Sequence, residues 1–226
     1  MTDNPSQLAS PTDERTEFPV VDSKEVFRGK VFSLLTEQVS YGDGMATRDF
    51  VKHPGAVAIV PLREGAESDS GGPEVLLISQ YRHPVRATLW EIPAGLLDIA
   101  GEDPLRAAQR ELAEEADLRA ARWDVLVDYF TTPGGSSEAL RVFLARDLTL
   151  IPVPERSFQR EAEEAFMTRR WVGLGDAVAA IFAGQIHNPS AVVGVLAIAL
   201  ALGLPDVSPV SLRPVAAPWF RKIYQD

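Results

Sequence analysis

The chain has 226 residues, 46% of them hydrophobic, with 22 Lys and Arg against 32 Asp and Glu and no cysteine. That length and apolar share suit one globular domain with a modest appendage and exclude wholesale disorder. The net charge of −10 excludes nucleic acid as the main partner, because a phosphate backbone needs a basic face, yet it leaves room for a small phosphorylated substrate contacted through a divalent cation. Without Cys there are no disulfides, thiolate metal sites or Cys nucleophiles, and the composition is compatible with a reducing cytoplasm.

In chain order, residues 1–18 are rich in Pro, Ser, Thr, Asp and Glu and read as a mobile tail. Residues 19–53 read as a small antiparallel β unit. It has partial alternation over 26–34, a turn at Tyr41-Gly42-Asp43-Gly44 and a returning strand over 45–51. His53-Pro54-Gly55 punctuates the chain before the main domain, 54–205. There the apolar run 56–62 predicts a buried strand, 63–73 a loop, 75–81 a second strand and 104–116 a helix. Strands over 125–130 and 140–145 flank Thr131-Thr132-Pro133-Gly134-Gly135-Ser136-Ser137; a polar loop at 152–165 precedes a last strand over 167–172 and helices at 174–184 and 189–203. Residues 206–226 read as a C-terminal tail whose Trp219 and Phe220 pack on the body or on a partner subunit. The longest apolar run, 191–204, has fourteen residues, short of the roughly 20 a bilayer crossing requires, so it reads as a buried helix. The polar N-terminus has no basic segment leading into an apolar one, as a signal peptide would. The order of strands and helices predicts an α/β or α+β layer with a mixed sheet.

The informative segment is the helix at 104–116. Asp103 suits an N-cap and Pro104 the first helical position. Leu105, Ala108, Leu112 and Ala116 form one apolar stripe. At about 100° per residue Glu111 and Glu115 fall on the shoulder of that stripe, with Glu114 beside them. Like charges four residues apart cost about 0.2–0.5 kcal/mol per pair, and the C-terminal end of a helix disfavours anions. A hard divalent cation such as Mg²⁺, shared with phosphate oxygens, would resolve that conflict; a solvated acidic face is the alternative.

The residues around this helix resemble the Nudix box, G-x5-E-x7-R-E-U-x-E-E-x-G-U with U aliphatic. Gly95, Glu102, Arg110, Glu111, Leu112, Glu114, Glu115 and Leu118 stand at its fixed positions. The sequence departs from the pattern twice. The gap from Gly95 to Glu102 holds one residue more, expected as a bulge near Gly101 that leaves the helix register intact. Asp117 replaces the last Gly, at a position that favours left-handed backbone, which Asp tolerates better than most residues. The resemblance implies an α/β/α sandwich with a mixed sheet, and hydrolysis of a nucleoside diphosphate linked to another group, using Mg²⁺ or Mn²⁺. It implies Glu111 and Glu115 as principal metal ligands, Glu114 as a further ligand or water-mediated contact, and the carbonyl of Ala94 as a completing donor. Glu102 and Arg110 match positions that brace the loop–helix–loop, with Gly95 as a structural residue of the box.

Further residues resemble the ADP-ribose pyrophosphatase subfamily: Gln80-Tyr81-Arg82-His83-Pro84, Leu89-Trp90-Glu91-Ile92-Pro93-Ala94-Gly95, and Pro133, sixteen residues after Asp117. The implied activity is conversion of ADP-ribose to AMP and ribose 5-phosphate. Pro133, Gly134 and Glu138 are then candidate substrate contacts, against an ordinary turn. The resemblance implies a catalytic base on a loop before the last strand, where Glu164 fits best and Glu163 second; the alternative is a solvated charge run. Arg82 is a candidate for the phosphates or terminal ribose, or else a strand-end salt bridge. Glu91 is a candidate for ribose hydroxyls, or else a member of a structural ion pair. The resemblance also implies a homodimer in which the strands of the N-terminal β unit are exchanged; Phe27, Phe32 and Tyr41 are candidate adenine-stacking residues, with core packing the favoured role for each. His53, His83 and His187 have no ligand spacing, which argues against zinc. Two other functions remain open. One is hydrolysis of a sugar nucleotide, NADH or a dinucleoside polyphosphate. The other is a non-catalytic ligand-binding module, against which the intact box argues.

Overall fold

The computed structural model describes residues 11–65, 68–69, 71–156, 167–203 and 211–221. Its N-terminal part is a three-stranded antiparallel meander of β1 (Val20–Arg28), β2 (Ser33–Tyr41) and β3 (Gly44–Lys52). Tyr41 pairs with Gly44 across a two-residue turn, and Gly42 takes the positive φ of 75° that such a turn requires. The expected strand over 26–34 is instead two strand ends and a reversal: Arg28 pairs with Ser33, and the Gly29 N–H donates to Phe32 O at 2.9 Å. Glycine permits this tight return, since a Cβ there would lie 3.1 Å from both the Phe27 ring and Phe32 O. All nine residues of β1 are exposed. Phe27, Phe32 and Tyr41 are 55%, 44% and 40% exposed, so core packing within one chain does not describe them. Tyr41 instead lies against Phe18 and Arg48 at the surface.

The main sheet comprises β4 (Ala56–Arg63), β5 (Glu74–Arg82), β6 (Ala87–Glu91), β7 (Ala94–Leu96), β8 (Leu118–Phe130), β9 (Ala139–Leu150) and β10 (Thr168–Gly173). Its order is β10-β5-β4-β9-β8, with β6 on β5 and β7 on β4. Strands β4 and β9 run parallel and the other pairs antiparallel. The continuous apolar run of β4 follows from its position, buried on both faces. Val57 and Ile59 pack with Ala107, Ala108, Leu112 and Ala116 of α1 (Pro104–Ala116). Ala56, Ala58, Val60 and Leu62 pack with α2 (Leu174–Phe182) and α3 (Pro189–Gly203) through Ala177, Ala191, Val195 and Ile198. This is the expected α/β/α arrangement with a mixed sheet. Gly194 lets α3 lie close to the sheet, for a Cβ there would come within 2.9 Å of Val60. Among the described residues no helix is long and apolar enough to cross a membrane.

One irregularity of the sheet positions the site. Strand β5 meets β4 only at Leu62 and Arg63, whereas β7 meets it at Ala56 to Ala58. Between these contacts the sheet splits, and the Ile59 N–H donates to Pro93 O at 2.8 Å. The chain from Glu91 to Leu96 enters that split and is laid beside α1. The segment 211–221 also lies on the body: Arg141 donates to Ala217 O and Pro218 O, Arg213 pairs with Asp128, and Trp219 is flanked by the guanidinium groups of Arg141 and Arg221. From the N-terminal side, Arg15 donates to Arg221 O and lies over the Phe220 ring.

Candidate active site

Helix α1 begins and ends where local chemistry dictates. The Asp103 carboxylate accepts the Leu105 N–H at 2.9 Å, and Pro104 opens the helix. At the other end Asp117 is left-handed with φ 58°, and its N–H donates to Ala113 O at 3.0 Å. The additional residue of the preceding loop is absorbed in a turn where Gly101 has φ 77°, so the helix register is undisturbed.

The carboxylates sit where the helical spacing places them. Glu115 is 5% exposed, and its Oε2 accepts the Ala94 N–H at 2.9 Å. Glu111 lies under Gly95: a Cβ there would stand 2.0 Å from the Glu111 carboxyl, so only glycine allows this approach. Arg110 gathers the neighbouring charges. It donates to Glu102 through Nε at 3.2 Å and Nη2 at 3.0 Å, and through Nη1 to Glu111 at 2.5 Å and Glu114 at 3.2 Å. The Glu102 hydrogen bonds, with the charge of Glu111, hold the guanidinium pKa above its ordinary value, so it stays cationic.

Among the described residues no group of three His, Asp or Glu side chains converges as a ready metal cage. Glu111 and Glu114 turn to Arg110, and Glu115 turns to a backbone amide. By type, however, three carboxylates and nearby carbonyls are the hard oxygen donors that Mg²⁺ or Mn²⁺ takes, and Gly95 keeps side-chain bulk away from Glu111.

The other candidates fall into two places. Arg82 and Glu91, at the ends of β5 and β6, form a bidentate pair with contacts of 2.9 and 2.7 Å. Both Glu91 oxygens face Arg82 and its side chain is 2% exposed; that of Arg82 is 40% exposed. The ion-pair alternative for these two is therefore what the structure contains. Pro133 and Gly134 line a cleft of about 930 Å³ together with Arg48, Phe50, Phe130 and Phe220. Glu138 stands behind that loop, accepting the Thr131 hydroxyl at 2.7 Å, with His53 Nε2 at 3.7 Å. Burial pushes the His53 pKa down, opposed by the Glu138 charge. The backbone connects cleft and helix: Val51 N–H donates to Gly135 O at 2.9 Å, and Leu97 N–H, after β7, donates to Gly55 O at 3.0 Å. Glu163 and Glu164 lie outside the described residues.

A model of the NUDIX domain matches residues 52–190. The chain belongs to the Nudix family. This Nudix hydrolase is 41% identical over 204 residues to an ADP-ribose pyrophosphatase of Mycobacterium tuberculosis, covering 89% of this chain and 93% of that protein. It is 34% identical over 174 residues to an ADP-ribose pyrophosphatase of Bacillus subtilis, covering 76% and 87%. Its fold is that of a crystal structure of an ADP compounds hydrolase, with a TM-score of 0.65 at 18% identity over 84% of this chain and 97% of the other. Hydrolases of this family generally use a divalent metal.

The sequence reading missed two features. One is the split edge of β4, carried by the short strands β6 and β7 between Pro and Gly residues. The other is the pairing of Asp117 with arginines far away in sequence, of which no local spacing gives a sign.

Proposed function

We propose that this Nudix hydrolase cleaves the diphosphate of ADP-ribose to AMP and ribose 5-phosphate, using Mg²⁺ or Mn²⁺ held by Glu111, Glu115, Glu114 and the carbonyl of Ala94. The observation that carries the metal assignment is the apposition of Ala94 and Gly95 to Glu115 and Glu111 across the split in the sheet. The two curated ADP-ribose pyrophosphatases, similar over most of the chain, support the substrate. When held there, a divalent cation would supply charge neutralisation for the diphosphate and a means of lowering the pKa of water.

The residues of the chain then divide the work. Glu164, with Glu163 as second candidate, accepts the proton of the water that attacks phosphorus as the P–O–P bond breaks. Glu102 fixes Arg110, which holds Glu111 and Glu114 side by side. Arg82, held in place by Glu91 and 40% exposed, contributes its positive charge toward a phosphate or the terminal ribose. Pro133, Gly134 and Glu138 shape the side of the cleft that takes the nucleoside. The enzyme works as a cytoplasmic homodimer: the exposed strand β1 and the apolar residues Val20, Val21, Val26 and Phe27 support pairing with a second copy. Its division into a tail to 18, a β unit over 19–53, the catalytic domain over 54–205 and a C-terminal tail belongs to the same reading.

The test is a substrate profile with Mg²⁺ and with Mn²⁺, a chelator control and product analysis. ADP-ribose should be turned over to AMP and ribose 5-phosphate and be preferred to sugar nucleotides, NADH and dinucleoside polyphosphates. Preference for another of these would replace the substrate, and tight binding without product would replace the enzyme with a sensor.

A further inference from the structure

The segment 211–221, expected as part of a tail, is built into the wall of the cleft. Arg141 of β9, 3% exposed, fastens it. Arg141 pairs with Asp128 through contacts of 2.8 and 2.9 Å and donates to Ala217 O at 2.9 Å and Pro218 O at 3.1 Å. Its guanidinium lies 4.9 Å from the centre of the Trp219 ring, and that of Arg221 lies 4.4 Å from the same centre. A buried arginine bonded to two successive carbonyls fixes where the next residues stand. Phe220 and Arg221 thereby line the cleft beside Pro133 and Gly134, with Phe220 edge-on to Phe130 at 6.3 Å between ring centres.

The charge of Arg221 is not balanced locally. Among the described residues it has no carboxylate partner; its Nη1 donates to Pro54 O at 3.2 Å, which leaves Nε and Nη2 for another acceptor. Burial, with the charge of Arg141, pushes its pKa below the ordinary value, a strain that a bound anion relieves. The acids of the cleft, Glu14, Glu17, Glu37 and Asp49, all belong to the N-terminal segments. Arg221 also stands where the cleft meets the loop of the carboxylate helix. A Cβ on Gly55, at φ 90°, would lie 2.8 Å from Arg221 Nη1 and 3.8 Å from the Leu97 side chain, so glycine leaves the guanidinium its place. Gly55 O accepts the Leu97 N–H, and Leu97 is two residues after the Gly95 that covers Glu111.

We propose that Arg221 is a substrate-binding residue whose guanidinium takes the nucleoside-side phosphate of a nucleoside diphosphate lying in the cleft, held in place for that contact by Arg141 and Trp219. The inference rests on the reading of the cleft as the nucleoside side of an ADP-ribose site. A guanidinium suits this contact because its planar donors match phosphate oxygens. The diphosphate then runs from Arg221 past Leu97 toward the carboxylates of α1, the direction in which the backbone contacts connect cleft and helix.

The experiment measures AMP and adenosine as competitive inhibitors of ADP-ribose hydrolysis, for the intact chain and for R221Q, with a melting curve of each. Adenosine keeps the nucleoside and lacks the phosphate, so the pair separates a lost phosphate contact from a reshaped cleft. The expected result is that R221Q weakens AMP at least about fivefold more than it weakens adenosine, and raises KM for ADP-ribose by about the factor by which it weakens AMP. A ratio of losses below fivefold overturns the phosphate contact, whether both losses are small or both are large. Should R221Q not fold, R221M, which keeps an apolar stem against Trp219, is read by the same ratio. Absence of ADP-ribose turnover in the intact chain overturns the reading of the site, and the proposal with it; turnover with a ratio below fivefold overturns the role of Arg221 alone.

Discussion

Gly95→Ala isolates the geometry on which the metal assignment depends. The glycine has no positive φ, so an alanine backbone is permitted there. The added methyl, however, would stand 2.0 Å from both Cδ and Oε1 of Glu111 and 2.5 Å from its Cγ. Ordinary van der Waals contact begins at 3.4 Å, so the Glu111 carboxyl must retreat by about 1.4 Å. The group that yields is the far end of a flexible side chain, so the fold is kept and the cost in stability is about 1 kcal/mol. The cost in catalysis is larger, since a shift of that size in a metal ligand is worth about a hundredfold, or about 2.7 kcal/mol of barrier. The assay is initial-rate hydrolysis of ADP-ribose over a range of Mg²⁺, paired with urea unfolding. The expected result is a loss of about a hundredfold in kcat/KM, partly recovered at high Mg²⁺, with a folded protein. Activity within threefold of wild type at low Mg²⁺ would refute the claim that Glu111 must lie under Gly95 for the reaction.

Glu115→Gln keeps an oxygen for the Ala94 N–H but removes the charge, and should lower kcat by at least about a hundredfold with an unchanged melting curve; equal activity would remove Glu115 from the metal site. Arg82→Ala leaves the buried Glu91 carboxylate without its fork and should cost about 2–3 kcal/mol in urea unfolding, at the low end because Arg82 is partly solvated. The R82A/E91A double variant should cost less than the sum of the single changes, and strict additivity would deny the coupling. The folded-state pKa of His53 lies below the ordinary 6.5, chiefly through burial. The unfolded chain therefore binds the proton more readily, and this contribution to stability is fully present above pH 6.5 and is lost as pH falls through the folded value. His53→Gln should remove that part of the pH dependence below pH 6.5; a wild-type slope in the variant would assign it elsewhere.

Helix α1 was legible because everything that forms it is local. The N-cap, the first proline, the apolar stripe and the carboxylates at one shoulder are all set by spacing within thirteen residues, and the bounds expected for the helix are those observed. The strands of the N-terminal sheet were legible only in part. A strand is recognised by alternation between a buried and an exposed face, and β1 has no buried face. With nothing to alternate against, the run through Val26, Phe27, Val31 and Phe32 reads as one strand, although Gly29 turns it back on itself.

The substrate side of the site was less legible than its metal side, for a related reason. Arg82 and Glu91 each carry a charge suited to a ligand, and nothing local distinguishes a charge offered to a ligand from one spent on a partner. Their pairing is not one of direct neighbours in the register of β5 and β6: Arg82 faces Ala87 and Glu91 faces Ile78, four pairs apart. The two side chains nonetheless meet in a bidentate contact, which no spacing of nine residues along the chain announces. Asp117 has the same property over a longer range: its partners are 39 and 52 residues away, supplied by the loop after β9 and the start of β10. Carboxylates whose partners lie one helical turn away can be assigned from spacing; those whose partners arrive through the sheet cannot. On α1 the Arg110–Glu114 pair is of the first kind, one turn of helix apart, whereas Glu115, which accepts the Ala94 N–H 21 residues earlier, is of the second; spacing alone left a solvated acidic face open for these carboxylates, and it was the likeness of the whole box that pointed to a metal.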